Sequence, residues 1–261
     1  MSKFFIGIDI GSTSAKTIVI DESKKIIDKF LLPTGWSSKE TSAFILEKLI
    51  KNNCYDENST VVATGYGRVS VSFAKKTITE ITCHAKGANF LFCNDNESIK
   101  EGDLLIIDIG GQDTKIIQTN DGNVVDFLMN DKCSAGTGRF LEVMSNALNL
   151  SMNELCEMAS IGSDTHISSL CTVFAESEVI SLIGRGEKRE NISFAIVDSI
   201  IKKVCQQAQK LYKANMKVCL TGGLSEFKYI SDSIGKELKT NVVSKEDGRF
   251  AGAIGAALMG M

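Results

Sequence analysis

The chain has 261 residues, a formal net charge of −3 at neutral pH and a pI near 5.6. This length accommodates one large domain or two small lobes, either with an ample core. The slight acidic excess leaves no basic surface for nucleic acid, so we expect no nucleic-acid binding. There is no 18-residue apolar run and no charged leader followed by an apolar stretch. These absences predict a cytoplasmic protein that does not span a membrane.

The chain contains eight cysteines, a large number for a cytosolic protein. They lie at positions 54, 83, 93, 133, 156, 171, 205 and 219. No Cys-x-x-Cys spacing occurs, which excludes a zinc ribbon and a thioredoxin motif, and a reducing compartment disfavours a disulfide scaffold. The only histidines are His84 and His166, so a histidine-based metal site is also disfavoured.

Apolar patterning predicts an α/β chain with two similar halves. The first half is predicted to contain strands at 4–9, 15–20 and 26–32, a helix at 42–51, a strand at 60–64 and a small-residue helix at 79–91. The second half is predicted to contain three strands from Leu104, helices at 138–148, 172–182 and 192–213, a strand at 217–220 and a small-residue helix at 248–258. Glycine and alanine allow two helices to approach closely, so the small-residue helices indicate either a hinge or ordinary tight packing.

A strand–turn–strand unit occurs twice, with a constant offset of 99 residues. The matched pairs are Asp9 with Asp108, Gly11 with Gly110, and Lys16 with Lys115. In each copy a carboxylate followed by glycine stands where a strand ends. Glycine lets backbone amides approach phosphate closely, and aspartate can hold Mg²⁺ through water. The repeat therefore predicts two similar lobes whose facing turns grip the phosphates of a nucleotide.

Taken in order, these segments resemble the five signatures of the actin-like ATPase superfamily. The turns after Asp9 and Asp108 resemble the two phosphate loops, Leu220–Gly223 resembles the adenosine loop, and the small-residue helices resemble the two connecting helices. The resemblance implies a two-lobed α/β fold, a duplicated ribonuclease H-like fold with the nucleotide in the cleft between the lobes. The implied organisation is a first lobe at 1–95, a second lobe at 96–247 and a connecting helix at 248–261.

Three further segments narrow the resemblance to one family. Ala63–Arg68, Asn130–Phe140 and Cys171–Glu178 resemble the activator ATPases of 2-hydroxyacyl-CoA dehydratases and the ATPase subunits of benzoyl-CoA reductases. This family resemblance implies a homodimer that holds one 4Fe–4S cluster at its interface, with Cys133 and Cys171 as the ligands from each subunit. Both cysteines precede predicted helices, whose N-termini favour negative charge and thiolate. The other six cysteines are expected to be buried apolar residues.

The resemblance also assigns roles to the repeated turns. Asp9 and Asp108 would position Mg²⁺ and the attacking water, and Gln112 is a further candidate for orienting that water. The residues expected to bind ATP or ADP are Gly11, Ser12, Thr13, Ser14, Lys16, Gly110, Gly111, Gly136, Gly138, Gly222 and Gly223. Lys16 would neutralise phosphate charge; the alternative is a solvated strand residue.

The implied function is ATP-driven electron donation. A ferredoxin or flavodoxin would supply the electron, and an iron–sulfur dehydratase or reductase would accept it. Within the family, the partner could instead be a benzoyl-CoA reductase or a protein with larger, double-cubane-type clusters. Two other classes stay open, a small-molecule kinase of the same fold and a non-catalytic nucleotide-gated module. Kinases of this fold need inserted substrate-binding segments, for which this chain has little room.

Overall fold

A computed structural model of the chain describes residues 3–93, 103–169 and 171–261. The chain divides into two compact units. The first comprises Met1–Gly102, Thr119–Val125 and Asp247–Met261, and the second comprises Asp103–Gln118 and Asp126–Glu246. The predicted lobe boundary between residues 95 and 96 lies outside the described residues.

The described residues contain ten strands and eight α-helices. Those before residue 94 are β1 (Phe5–Ile10), β2 (Ser14–Ile20), β3 (Ile26–Pro33), α1 (Ser38–Lys51), β4 (Thr60–Thr64), β5 (Lys76–Thr77) and α2 (Glu80–Cys93). The others are β6 (Leu104–Ile109), β7 (Thr114–Asn120), β8 (Asn123–Asn130), α3 (Gly138–Ala147), α4 (Met152–Ile161), α5 (Thr172–Gly184), α6 (Arg189–Ala208), β9 (Lys217–Gly222), α7 (Lys228–Leu238), β10 (Val242–Ser244) and α8 (Ala251–Leu258). In this described part of the chain, no helix is both long enough and apolar enough to cross a membrane.

The first unit is built on a five-stranded sheet in the order β3-β2-β1-β4-β5. Strand β1 is antiparallel to β2 and parallel to β4, and all six of its residues are buried. Its side chains alternate between two apolar clusters. Ile6, Ile8 and Ile10 pack with residues of α1, while Phe5 packs with residues of α8. A central strand covered on both faces reads as a continuous apolar run, which is what the sequence shows.

The second sheet repeats this arrangement in the order β10-β9-β6-β7-β8. Its central strand β6 is fully buried and runs parallel to β9. Leu105, Ile107 and Ile109 pack in one cluster with residues from α3, α4, α6 and α7. The two sheets therefore share one strand order, which confirms the predicted duplication and extends it from three strands to five.

Some element boundaries differ from the predictions. Helix α1 begins at Ser38 rather than residue 42, because the Ser37 side chain caps it by accepting the Glu40 amide. Helices α4 and α7 were missed, although Ser151 and Glu154 form a capping box whose Ser-x-x-Glu spacing is visible in the sequence. Helix α6 begins and ends earlier than predicted. The last predicted helix begins at Ala251, after a 3₁₀ turn at Glu246–Phe250.

The two small-residue helices, α2 and α8, pack against each other within the first unit. A Cβ atom added at Gly255 would lie 1.7 Å from the Cys83 carbonyl oxygen, and one added at Gly87 would lie 1.8 Å from that of Ala251. Both contacts are with backbone atoms, which cannot rotate away. The glycines are therefore required by the closeness of the helices, and the tight packing predicted from their composition is confirmed.

We expect Gly255→Ala to lower the free energy of unfolding by about 1–3 kcal/mol or more, since the added methyl overpacks the α2–α8 contact. Gly184→Ala is the control, because a Cβ at this helical glycine would meet no atom within 4 Å. That variant should keep or raise stability by about 0.5–1 kcal/mol. Urea denaturation of both variants measures the difference. Equal stability of the two would contradict the tight contact.

Candidate functional site

The turn predicted to be the first phosphate loop connects β1 to β2 and is closed by a backbone hydrogen bond. The Gly11 amide donates to the Ser14 carbonyl at 3.1 Å. Thr34 supports the loop from the end of β3: its hydroxyl donates to the Gly11 carbonyl at 2.7 Å and its amide to that of Thr13 at 3.1 Å. Ser12 and Thr13 are exposed. The backbone of this loop is thus fixed while its tip stays accessible to a ligand.

Asp9 lies buried near the end of β1, with 1% of its surface exposed. Its Oδ2 is 3.6 Å from the Lys16 ammonium, whereas its buried Oδ1 has no hydrogen-bond partner among the described residues. Lys16, with a side chain 17% exposed, lies beside the aspartate and is not a solvated strand residue. A buried carboxylate oxygen without a donor can accept a bond from a cation or its water, so the geometry of Asp9 fits Mg²⁺.

Asp108 occupies the matching position on β6 but has more partners. Its Oδ1 accepts a hydrogen bond from the Thr221 hydroxyl at 3.1 Å, and its Oδ2 lies 3.5 Å from the Lys115 ammonium. That ammonium is closer to Asp113, at 2.7 Å, and Lys115 is only 1% exposed. Two buried carboxylates therefore share one buried cation. Sequence analysis placed Lys115 in the repeat without assigning it to the site, and it did not single out Asp113.

The second phosphate loop closes like the first, with the Gly110 amide donating to the Asp113 carbonyl at 2.9 Å. Gln112 is exposed on this turn. The segment that opens α3 is bonded directly to the loop: the amides of Gly138 and Arg139 donate to the carbonyls of Gly110 and Gly111, at 2.9 and 2.8 Å. The Gly138 amide is therefore engaged with the loop itself, so this residue supports the loop rather than offering its N–H to phosphate.

A Thr-Gly pair lies at the end of the parallel neighbour of each central strand. In register, Thr64 faces Asp9 and Thr221 faces Asp108. The next residues, Gly65 and Gly222, both have φ of +82°, and a Cβ on them would lie 2.5 and 2.7 Å from the Oδ1 of the respective aspartate. The repeat did not reveal this equivalence, because the two Thr-Gly pairs are 157 residues apart whereas the matched turns are 99 residues apart. The feature that the pairs share in the sequence is a Thr-Gly at the end of an apolar strand.

A cavity of about 230 Å³ opens beside the glycine turn of the second unit. It is lined by Ala135, Gly136, Phe140, Ile167, Ser169, Ser199, Lys202, Lys203 and Gln206. Gly136 has φ of +89°, and its carbonyl accepts the Thr114 hydroxyl at 2.5 Å. The predicted adenosine-loop residue Gly223 has open space around it. The α6 residues were not predicted, because lysine and glutamine on an amphipathic helix are typical of a solvated face.

The two predicted cluster ligands, Cys133 and Cys171, are both exposed in the second unit. Cys171 is the N-cap residue of α5, and Cys133 precedes the turn that opens α3. Their neighbours are joined, since the Ser134 and Thr172 hydroxyls form a hydrogen bond of 2.7 Å. The structure thus brings the two cysteine-bearing segments together at one surface. Both thiols are therefore accessible to a metal or cluster at this surface.

Five of the other six cysteines are buried, as predicted: Cys54, Cys83, Cys156, Cys205 and Cys219. Burial raises the pKa of Cys83 and Cys205 to about 12 and that of Cys156 to about 11. These thiols therefore stay protonated near neutral pH and are poor metal ligands. The prediction was wrong for Cys93, the last residue of α2, which is exposed although the preceding residue, Phe92, is buried.

Residues 6–260 match the model of the BadF/BadG/BcrA/BcrD ATPase family. The chain belongs to this family. It is 40% identical over 264 residues to the activator of lactoyl-CoA dehydratase from Anaerotignum propionicum, which covers 98% of this chain and 96% of the relative. It is also 29% identical to a benzoyl-CoA reductase subunit from Thauera aromatica, covering 97% and 92% of the two chains.

Among solved structures, the chain resembles the activator of the 2-hydroxyisocaproyl-CoA dehydratase from Clostridium difficile with bound ADPNP. The TM-score is 0.86 at 36% identity, and the match covers 98% of this chain and 94% of the other. This likeness confirms the predicted two-lobed actin-like ATPase fold and the predicted family.

The thiols make a direct test of the site possible. In the native iron-free protein at about pH 8, N-ethylmaleimide should label Cys93, Cys133 and Cys171, because these three thiols are exposed and accessible to the reagent. Cys83 and Cys205 should stay unlabelled until the protein is denatured, because their raised pKa leaves almost no thiolate and burial blocks access. Peptide mass spectrometry reads each site. Labelling of either buried thiol in the native state would contradict the structure.

Proposed function

We propose that this chain is an ATP-dependent one-electron donor that activates a partner iron–sulfur enzyme of the 2-hydroxyacyl-CoA dehydratase type. The observation that carries the proposal is the pair of exposed cysteines, Cys133 and Cys171, on adjacent segments of the unit that contains the second phosphate loop. In the same unit, the first two residues of α3, Gly138 and Arg139, follow Cys133 closely in the chain and are hydrogen-bonded to that loop. The proposed nucleotide site and the proposed cluster ligands would therefore lie on neighbouring stretches of one backbone.

ATP binding is supported by the family membership and by the ADPNP-bound relative. In the first unit, the loop Gly11–Ser14 would offer amides and hydroxyls to phosphate, and Lys16 would offset negative charge. In the second unit, Gly110 would let the loop approach phosphate closely and Gly111 would offer its amide, while the open space at Gly223 with the cavity beside Gly136 would receive the nucleoside.

Mg²⁺ would be held through water by Asp9, whose Oδ1 is a buried acceptor without a protein donor among the described residues, and by Asp108. The ion would supply charge neutralisation at the phosphates. Both carboxylates stand on central strands and are buried, so their positions are set by the sheets rather than by mobile loops. Gln112, exposed on the second loop, would orient the attacking water.

A 4Fe–4S cluster would take Cys133 and Cys171 as ligands and would supply a low-potential one-electron store. Four thiolates are needed, and a homodimer with a two-fold interface supplies each cysteine twice. Among the described cysteines, only Cys93 is also exposed, and it belongs to the first unit. The other described cysteines are buried, which supports the pair at 133 and 171 as the ligand set.

ATP turnover would make an uphill electron transfer possible. Each 100 mV of uphill transfer costs about 2.3 kcal/mol per electron, which a nucleotide cycle can supply. A ferredoxin or flavodoxin would be the donor. The acceptor is proposed to be a dehydratase because the dehydratase activator named above is 40% identical to this chain and the benzoyl-CoA reductase protein only 29%. The exposed cysteine pair is not needed by a small-molecule kinase or by a nucleotide-gated module.

Cys133→Ala and Cys171→Ala should each abolish cluster binding. After anaerobic reconstitution with iron and sulfide, the wild-type protein should contain about four irons per dimer, the content of one cubane. Either variant should lose nearly all of it and the brown colour. Cys93→Ala is the control and should keep wild-type iron, since its thiol lies in the first unit. Near-normal iron in either cluster variant would overturn the ligand assignment.

Asp9→Asn and Asp108→Asn should each reduce ATP hydrolysis by roughly 10²-fold or more, because each removes a charge that positions the metal. The control is Asp232→Asn on α7, where the aspartate forms an exposed pair with Lys228 at 2.6 Å. Exposed pairs of this kind contribute little, so this variant should hydrolyse ATP at the wild-type rate. Full activity of either phosphate-loop variant would place the hydrolytic site elsewhere.

A further inference from the structure

The two repeated aspartates are held differently. In the first unit, the Thr64 hydroxyl donates to the Ile78 carbonyl at 2.9 Å and leaves Asp9 Oδ1 without a partner among the described residues. In the second unit, the equivalent Thr221 donates to Asp108 Oδ1 at 3.1 Å. Both threonines are fully buried and face their aspartate in the same register. The two copies of the repeat therefore differ in the acceptor of the threonine hydroxyl.

The lysines of the repeat have diverged as well. Lys16 contacts Asp9 and keeps some exposure, whereas Lys115 is buried between Asp108 and Asp113. The residue that corresponds to Asp113 in the first loop is Ser14, which carries no charge. Asp113 is the closer partner and therefore anchors the Lys115 ammonium. Its distance to Asp108 is longer, at 3.5 Å.

We propose that Thr221 and Lys115 are positioning residues that hold the Asp108 carboxylate in the orientation used for ATP hydrolysis. One oxygen is fixed from β9 and the other from β7, so the plane of the carboxylate is set by two strands of a rigid sheet. Threonine is branched at Cβ and has a stiff χ1, which suits this task. Groups locked in this way need no rearrangement when charge develops in the transition state. This inference depends on the ATP hydrolysis in the proposed function and does not depend on the proposed electron transfer.

The test compares Thr221→Val with Thr64→Val. Both changes replace a fully buried strand threonine by an isostere and remove one hydrogen bond, but only the first removes a bond to an aspartate. We expect Thr221→Val to lower kcat for ATP by about tenfold or more, the loss that corresponds to one hydrogen bond to a charged group. KM and nucleotide affinity should change little, because the effect falls on the transition state. Thr221→Ser, which keeps the hydroxyl, should recover most of the rate.

Lys115 is tested through its anchor, since removing a buried cation between two carboxylates endangers folding. Asp113→Asn keeps the size of the side chain and weakens the hold on the ammonium, so it should also lower kcat more than it raises KM. Thermal unfolding and binding of a fluorescent ADP analogue show that each variant is folded and binds nucleotide.

ATP hydrolysis is measured without donor or acceptor protein, so the outcome is independent of the cluster. Absence of ATPase activity in the wild-type protein would refute the proposed function. An active wild type with equal kcat in Thr221→Val and Thr64→Val, or an unchanged kcat in Asp113→Asn, would overturn the positioning roles. A selective loss in Thr221→Val that Thr221→Ser restores, together with a loss in Asp113→Asn, would establish them.

Discussion

Burial of a carboxylate at the end of a central strand is the constraint on which the rest of this structure depends. A buried carboxylate is costly unless a cation or hydrogen-bond donors compensate it. Each unit compensates its buried carboxylate with a lysine on the strand after the central strand. Lys16 on β2 lies beside Asp9, and the matching Lys115 on β7 lies beside Asp108. The glycines that approach the carboxylates, Gly65 and Gly222, leave space that any side chain would fill. The strand order, the lysine and the glycine therefore act together to accommodate a buried carboxylate in each unit.

This solution leaves the two aspartates chemically distinct. Asp9 retains an oxygen with no donor among the described residues, which is an acceptor for a cation or its water. Asp108 is fixed at one oxygen by Thr221 and shares its cation with Asp113. In this duplicated fold, two differences therefore give the matching carboxylates different surroundings. The threonine hydroxyl donates to the aspartate only in the second unit, and the loop residue Asp113 replaces Ser14. The central strands themselves keep the same burial and end alike, in Ile-Asp-Ile.

The second phosphate loop is part of a longer hydrogen-bonded chain. Its carbonyls accept the first amides of α3, and the preceding turn carries Cys133, whose carbonyl accepts the Asn130 side chain. Ser134 then reaches Thr172 beside Cys171. These hydrogen bonds connect the second loop to both cysteine-bearing segments within one unit.

Much of the fold was predictable from local pattern. The central strands are apolar runs buried on both faces, and the repeat of 99 residues is visible because Asp, Gly and Lys recur at fixed spacing. The start of α1 was predicted too late because the N-cap at Ser37 was not recognised. Helix α4 was missed because its Ser-x-x-Glu capping box was overlooked. Cys93 was misjudged because cysteine was taken as a buried residue by type, whereas its position at the last residue of α2 leaves it exposed beside the buried Phe92.

The sequence by itself determined the two carboxylate–glycine turns, the family signatures and the two cysteines before helices, because these are short segments whose chemistry is local. Only the tertiary structure decided which side chains complete the sites. Thr221 meets Asp108 across 113 residues, and α6 brings Lys203 to the turn at Gly136. The bond that joins Ser134 to Thr172 spans 38 residues. Such contacts follow from strand register and helix packing, and neither is encoded in the spacing of residues along the chain.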